Sequence, residues 1–152
     1  MNLPPLNVIA TVANNVQQQT DAGWGSVISR IVLRAEYAGG LSGLEDFSHV
    51  ILLTYLHEAG FDPVRHLVRH PRGDTRYPRV GIFAQRAKDR PNPIGSTVVR
   101  LLAVEPDALL VQGLDAIDGT PVLDIKPFFP VYDQPGDVHV PTWVNDLMQG
   151  YF

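Results

Sequence analysis

Thirteen prolines and thirteen glycines are spread along this chain of 152 residues, and they leave no stretch in which a long helix can run. Proline lacks the backbone N–H that a helix interior needs, and glycine gives up the most conformational freedom on ordering. Between these breaks the apolar residues fall in short runs, the pattern of strands joined by turns. Residues 28–33 read as a strand. Residues 49–56, His-Val-Ile-Leu-Leu-Thr-Tyr-Leu, are almost wholly apolar and read as a buried strand. Residues 80–84 and 122–126 are further strands, the latter bounded by Pro121 and Pro127, which cannot donate to a ladder. Residues 97–104 and 108–114 read as a hairpin turning at Glu105-Pro106-Asp107. A helical turn is expected over 45–47, with Leu44 and Phe47 packing inward. Another is expected after Pro141, where Trp143 and Leu147 share a face. The expected fold class is mainly β: a single-domain β-barrel or curled sheet, with a few short helices.

The length suits one domain over residues 1–152. No apolar run approaches the roughly eighteen residues a membrane helix needs, and the start, Met-Asn-Leu-Pro-Pro, is not a signal peptide. The absence of cysteine excludes disulfides and thiolate metal sites and points to a cytoplasmic protein. Net charge is -4, yet eight of the twelve basic residues lie between Arg65 and Arg90. Only Asp74 and Asp89 oppose them within that stretch. Such a stretch is either a solvated basic loop or a local positive field that holds phosphates. Residues 62–79 show no periodicity, and a loop of that length is usually functional or mobile.

Two motifs stand out. The first is Arg86-Ala87-Lys88-Asp89-Arg90-Pro91-Asn92-Pro93-Ile94-Gly95. Its prolines stiffen the backbone and push Arg90 and Asn92 out of the helical region, so these side chains are presented at low entropic cost. Gly95 permits a tight turn or the close approach of a ligand. The alternative is a rigid surface connection. The second motif runs from Leu114-Asp115 through Asp118-Gly119-Thr120-Pro121 to Asp124-Ile125-Lys126-Pro127. Asp118-Gly119 is a turn signal. On the strand that follows, Asp124 and Lys126 share one face, where they either pair or meet a ligand, and Leu123 and Ile125 share the other. His57-Glu58 follows a strand, where sites often open. His66 and His70 have helical metal spacing but lack a third ligand, so no metal is expected. Phosphate-binding glycine loops and a nucleophile elbow are absent.

The runs Gly81-Ile82-Phe83-Ala84-Gln85-Arg86 and Asp89-Arg90-Pro91-Asn92-Pro93-Ile94-Gly95, and the stretch from Leu114-Asp115 to Lys126-Pro127, resemble the TrmO/TsaA-like (YaeB-like) proteins. Gly43-Leu44-Glu45-Asp46-Phe47-Ser48-His49-Val50 and His57 resemble them too, so the likeness covers most of the chain from Val8 to Val131. Where the family has Ala-Thr-Arg, this chain has Ala84-Gln85-Arg86, and Phe128 replaces a tyrosine. The resemblance implies a β-barrel methyltransferase that works as a homodimer with S-adenosylmethionine. Its best-described members methylate N6 of threonylcarbamoyl-adenosine 37, beside the tRNA anticodon. Longer members carry a further C-terminal domain, and this chain reads as the short form. Carried over by motif, His57, Arg86, Ser96, Leu114, Asp115, Asp118 and Gly119 would line the cofactor pocket. Arg90, Asn92, Asp118 and Lys126 would serve the reaction, with Arg86 as a fork for a carboxylate. Residues 14–24 match none of the family motifs, and cofactor contacts there are not assigned to single residues. A methyltransferase for a small molecule or protein, or a non-catalytic cofactor-binding module, would use the same pocket.

Overall fold

The computed structural model describes residues 2–152. Six antiparallel strands close into a barrel in the order β1 (Ala10–Ala13), β2 (Ile28–Leu33), β7 (Ala108–Gln112), β6 (Ile94–Val104), β3 (His49–Tyr55) and β8 (Pro121–Pro127). The mainly β barrel with a few short helices is the fold expected from the sequence. Beside it, β4 (Val68–Arg69) and β5 (Val80–Gly81) form a small ladder. The short helices are α1 (Pro63–His66), α2 (Pro130–Asp133) and α3 (Thr142–Leu147).

The side-chain period of two explains the core. Val12, Ile31, Val50, Leu52, Val99, Leu109, Val111 and Val122 all point inward and are almost fully buried. Strand β3 was expected to be buried on both faces, but it alternates. Val50, Leu52 and Thr54 face inward, while Ile51 and Leu53 are half-covered on the outside of the barrel. Strand β8 departs from simple alternation. Leu53 pairs with Asp124 but Thr54 pairs with Val122, so Leu123 is an extra residue in the ladder. That bulge lets Val122 and Ile125 both reach the core.

Other differences have local causes. Residues 80–84 are not one strand: only Val80–Gly81 pairs, and Ile82–Ala84 coils into a 3-10 turn. The Gln85 side-chain amide stops the ladder by donating to the carbonyls of Val80 (2.8 Å) and Arg69 (3.0 Å). The helical turn near 45–47 is Leu44–Asp46, and Leu44 and Phe47 do pack toward the core. Strand β1 had no sequence signal strong enough to be read. It is four residues long and depends on β2 and β8 for its partners. Residues 62–79 are a chain of local turns: α1 capped by Asp62, then β4, then a 3-10 turn over Pro71–Gly73.

Candidate active site

The starts of β2, β6 and β8 and the ends of β1, β3 and β7 gather at one end of the barrel, so both sequence motifs arrive there together. The stiff segment is folded on itself by Arg90, whose guanidinium donates to the carbonyls of Gln85 (3.1 Å) and Ala87 (3.4 Å). Arg86 donates to the Ser96 carbonyl and ties the segment to β6. The Leu56 N–H donates to the Pro93 carbonyl at 2.8 Å and docks the segment on the end of β3. Gly95 lies opposite Thr54, and a Cβ there would sit 2.5 Å from Thr54 Oγ1. The close approach that this glycine permits is therefore to the chain's own Thr54.

Asp89 joins this segment to the loop after β3. One carboxylate oxygen accepts from the Gly60 N–H (3.1 Å) and from Lys88 Nζ (2.8 Å), and Arg69 lies 4.0 Å from the other. Burial pushes the Asp89 carboxyl up, but the Lys88 and Gly60 hydrogen bonds outweigh it, and the net shift is downward. Asp89 is thus an anion held inside the motif.

The second motif is locked to the N-terminal segment. The Asp118 and Gly119 N–H groups donate to the carbonyls of Val16 and Val12, both at 2.8 Å. Asp118 Oδ1 accepts from the Asn14 N–H at 3.0 Å, and Asn14 Nδ2 donates to the Ala116 carbonyl and to Ser29 Oγ, both at 2.9 Å. Gly119 turns at φ 78, where a side chain would be strained. Residues 14–19 are therefore held against the Asp-Gly turn.

Between these parts lies a cavity of about 170 Å³. Its polar lining comes from Gln18, Gln19, His57, Glu58, Lys88 and Thr120, and its apolar lining from Leu56, Ala59 and Ile117. Of the residues singled out in the sequence, His57 lines the cavity directly, and Asp118 sits between two lining residues, Ile117 and Thr120. Arg86 is exposed two positions before Lys88, Ser96 is exposed on β6, and Asn92 is exposed on the stiff loop. Asp115 accepts from the Thr97 hydroxyl and, at 2.6 Å, from the Tyr151 hydroxyl. Leu114 is in the core at 1% exposure. Lys126 is not brought to this end. It lies five residues along β8 from Pro121, about 16 Å at the usual strand rise, and pairs with Asp124 at 2.5 Å. Glu58 and Lys88 lie inside stretches that the sequence singled out, whereas Gln18 and Gln19 were not named individually because glutamines in a loop carry no periodic signal.

The basic stretch is less free than its sequence suggests. Arg65, Arg69, Arg72, Arg76 and Lys88 each have a carboxylate within 4.0 Å. Two of those carboxylates, Asp62 and Asp21, come from outside the stretch. Arg79, Arg86 and Arg90 donate to backbone carbonyls, and among the described residues none of the three forms a salt bridge. The paired histidines serve turns: His66 Nδ1 accepts from the Asp62 N–H at 2.9 Å, and His70 Nδ1 donates to the Tyr77 carbonyl at 2.7 Å. Among the described residues, no helix is long and apolar enough to cross a membrane.

The chain is thus a small closed antiparallel β-barrel domain with a mixed polar and apolar cavity ringed by loops at one mouth. The family model for the tRNA-methyltransferase O N-terminal domain matches residues 13–134, so the chain belongs to that family. An S-adenosyl-L-methionine-binding protein of Archaeoglobus fulgidus is 39% identical over 132 residues, covering 84% of this chain and 91% of that one. A probable S-adenosyl-L-methionine-binding protein of Pyrococcus abyssi is 40% identical over 110 residues, 69% of this chain and 54% of its own length. The human tRNA (adenine(37)-N6)-methyltransferase is 44% identical over 101 residues, which is 66% of this chain but 22% of that protein. The crystal structure of TrmO from Pseudomonas aeruginosa superposes with a TM-score of 0.73 at 30% identity, over 91% of this chain and 62% of that one. The chain thus spans about half the length of the Pyrococcus relative and a much smaller part of the human one.

Proposed function

We propose that this chain acts as one domain over residues 1–152 and is an S-adenosylmethionine-dependent methyltransferase with its cofactor in the cavity at the loop end. The observation that carries the reading is the convergence of both family motifs on that cavity. Its donor set fits an amphipathic cofactor. Leu56, Ala59 and Ile117 offer apolar surface to an adenine ring, and Gln18 and Gln19 offer hydrogen bonds to ribose hydroxyls. Lys88, with Arg86 beside it, offers positive charge to the methionine carboxylate, while Asp118 and Glu58 offer negative charge to its ammonium. Bound S-adenosylmethionine supplies an electrophilic methyl group on a sulfonium. Transfer of that methyl to an amine acceptor would leave the electron pair of the broken bond on sulfur and would release one proton from the acceptor. The residues' work is alignment of donor and acceptor. His57 and Asp118 stand at the cavity to take that proton.

The acceptor in this reading is N6 of adenine 37 in tRNA, in its threonylcarbamoyl form. The relatives named as tRNA (adenine(37)-N6)-methyltransferases support it. Arg79, Arg86 and Arg90 would meet phosphates. The test is labelling by tritiated S-adenosylmethionine of separated RNA, protein and metabolite fractions from cytoplasmic extract. Label in tRNA, with binding that weakens steeply as salt rises, supports the reading. Label only in another fraction moves the acceptor. Cofactor binding without any label favours a binding module, the role that the Archaeoglobus relative's name describes.

The reading includes a homodimer. Tyr55, Ile94, Val98 and Leu102 project from the outer face of β3 and β6, each 40% or more exposed, and a second copy would cover them. Light scattering should give twice the chain mass, and Val98→Lys should lower it.

A further inference from the structure

Residues 148–152 run beside the candidate site without being part of either motif. Their backbone is fixed to residues 23–24: the Gly23 N–H donates to the Gly150 carbonyl (3.0 Å) and the Trp24 N–H to the Tyr151 carbonyl (2.8 Å). Gly25 makes room for them, since a Cβ there would meet the Phe152 carbonyl carbon at 2.5 Å. Arg72 lies over the Tyr151 ring, 5.8 Å from its centroid, and pairs with Asp21 at 3.5 Å. So held, Tyr151 aims its hydroxyl at Asp115 Oδ2, 2.6 Å away, while the Thr97 hydroxyl occupies Oδ1. Asp115 opens the loop whose residues Ile117 and Thr120 wall the cavity. Each of its oxygens already accepts a hydrogen bond from the chain, so its first task is to fix where that loop starts. The segment after Thr20 follows Gln18 and Gln19, which also line the cavity. Tyr151 therefore links the segment that follows Gln19 to the loop that starts at Asp115.

We propose that Tyr151 is a positioning residue: through Asp115 it sets the loop 115–120 against residues 18–24 and so holds the cofactor cavity in its binding shape. Burial first, and then the bond to Asp115, push the phenol well above its ordinary range, so the donor stays protonated wherever the protein works. A hydrogen bond to a charged acceptor is among the stronger ones in a protein, and a polar group left unsatisfied beside a cavity loosens its loop.

This inference rests on the cavity being the cofactor site, and two measurements separate the two claims. In Tyr151→Phe, calorimetry should show the S-adenosylmethionine Kd raised by about tenfold. Without any ligand, amide exchange at Asp118 and Gly119 should quicken by a similar factor, because their bonds to Val16 and Val12 open more often. Tyr77→Phe is the matched control. It removes a hydroxyl–carboxylate bond of the same kind, to Asp146 at 2.8 Å, that ties α3 to the basic segment. It should lower the melting temperature while leaving the Kd and both amides unchanged. In an Asp115→Asn background, Tyr151→Phe should add little further loss. Unchanged Kd and exchange in Tyr151→Phe, or equal losses in Tyr77→Phe, overturn the positioning role. Exchange that responds in a protein that binds no S-adenosylmethionine upholds the bridge and sinks the cofactor reading.

Discussion

The two ends of this barrel are made from the same six strands and contain quite different cavities. The end where β1, β3 and β7 finish holds the smaller one, about 170 Å³, with amide, imidazole, ammonium and carboxylate groups around it. The opposite end holds a larger one, about 520 Å³, beneath the 3-10 turn Ala35–Leu41. Its walls are mostly apolar: Ile9, Leu33, Tyr37, Leu41, Leu44, Phe47 and Ile125. Volume alone would select the other end as the site. The smaller cavity has groups that can orient a polar ligand, and the loops that carry them are joined by the bonds of Asn14 to Asp118 and of Gly60 to Asp89. The larger one has space but few polar groups other than Asp124, which Lys126 already neutralises.

The strand walls are common to both ends, so the change with the largest expected effect strikes both. Leu52 is fully buried in mid-barrel, and Leu52→Ala should cost about 2–5 kcal/mol of stability by chemical denaturation. A loss confined to one end's amides in hydrogen exchange would break the view of a single cooperative core.

Next come changes that separate the ends. Asp118→Ala removes the acceptor for the Asn14 N–H and loosens the contact between the Asp-Gly turn and residues 14–19. Its S-adenosylmethionine Kd should rise about tenfold or more, with a smaller fall in melting temperature. Arg86→Ala should do the same by removing charge beside Lys88. Normal cofactor affinity in both variants would shift attention to the larger cavity.

A pH experiment sharpens the comparison further. The Tyr151 phenol is raised in the folded state, so its bond contributes in full below the unfolded value near 10.0 and is lost as pH climbs above it. Wild type should therefore lose stability above about pH 10 more steeply than Tyr151→Phe, as followed by thermal melts. Parallel curves would mean that the phenol titrates alike in both states.

The fold was legible because its signals are local and repetitive. Prolines and glycines cut the chain at strand ends, and β2, β3 and β8 were read to within a residue at each end, whereas β6 starts three residues earlier than expected and β7 ends two earlier. The site was legible only where composition is unusual. The doubled proline around Asn92 and the Asp118-Gly119 turn announce themselves, whereas Gln18 and Gln19 become significant only when Asn14 ties their segment to Ala116 and Asp118. That closure spans 104 residues, and no window along the chain can contain it. The bulge at Leu123 was illegible for a related reason: it is a property of the register between β8 and β3, not of β8 alone. The basic stretch misled in the opposite sense, since Asp21 and Asp62 arrive from elsewhere to answer it.

Lys126 gives the smallest expected effect and the sharpest separation of the two ends. Motif resemblance places it with the reaction, whereas the strand carries it toward the apolar end and sets its ammonium on Asp124. That contact raises the Lys126 pKa, and the pair is open to water. Exposed pairs of this kind contribute little, so Lys126→Ala should leave stability nearly unchanged and S-adenosylmethionine affinity within about twofold of wild type. The informative case is turnover. If kcat for tRNA also holds, the loop end alone carries the reaction. If kcat falls while cofactor affinity stays, Lys126 acts on the acceptor, and the acceptor must then reach along the outside of the barrel from one end to the other.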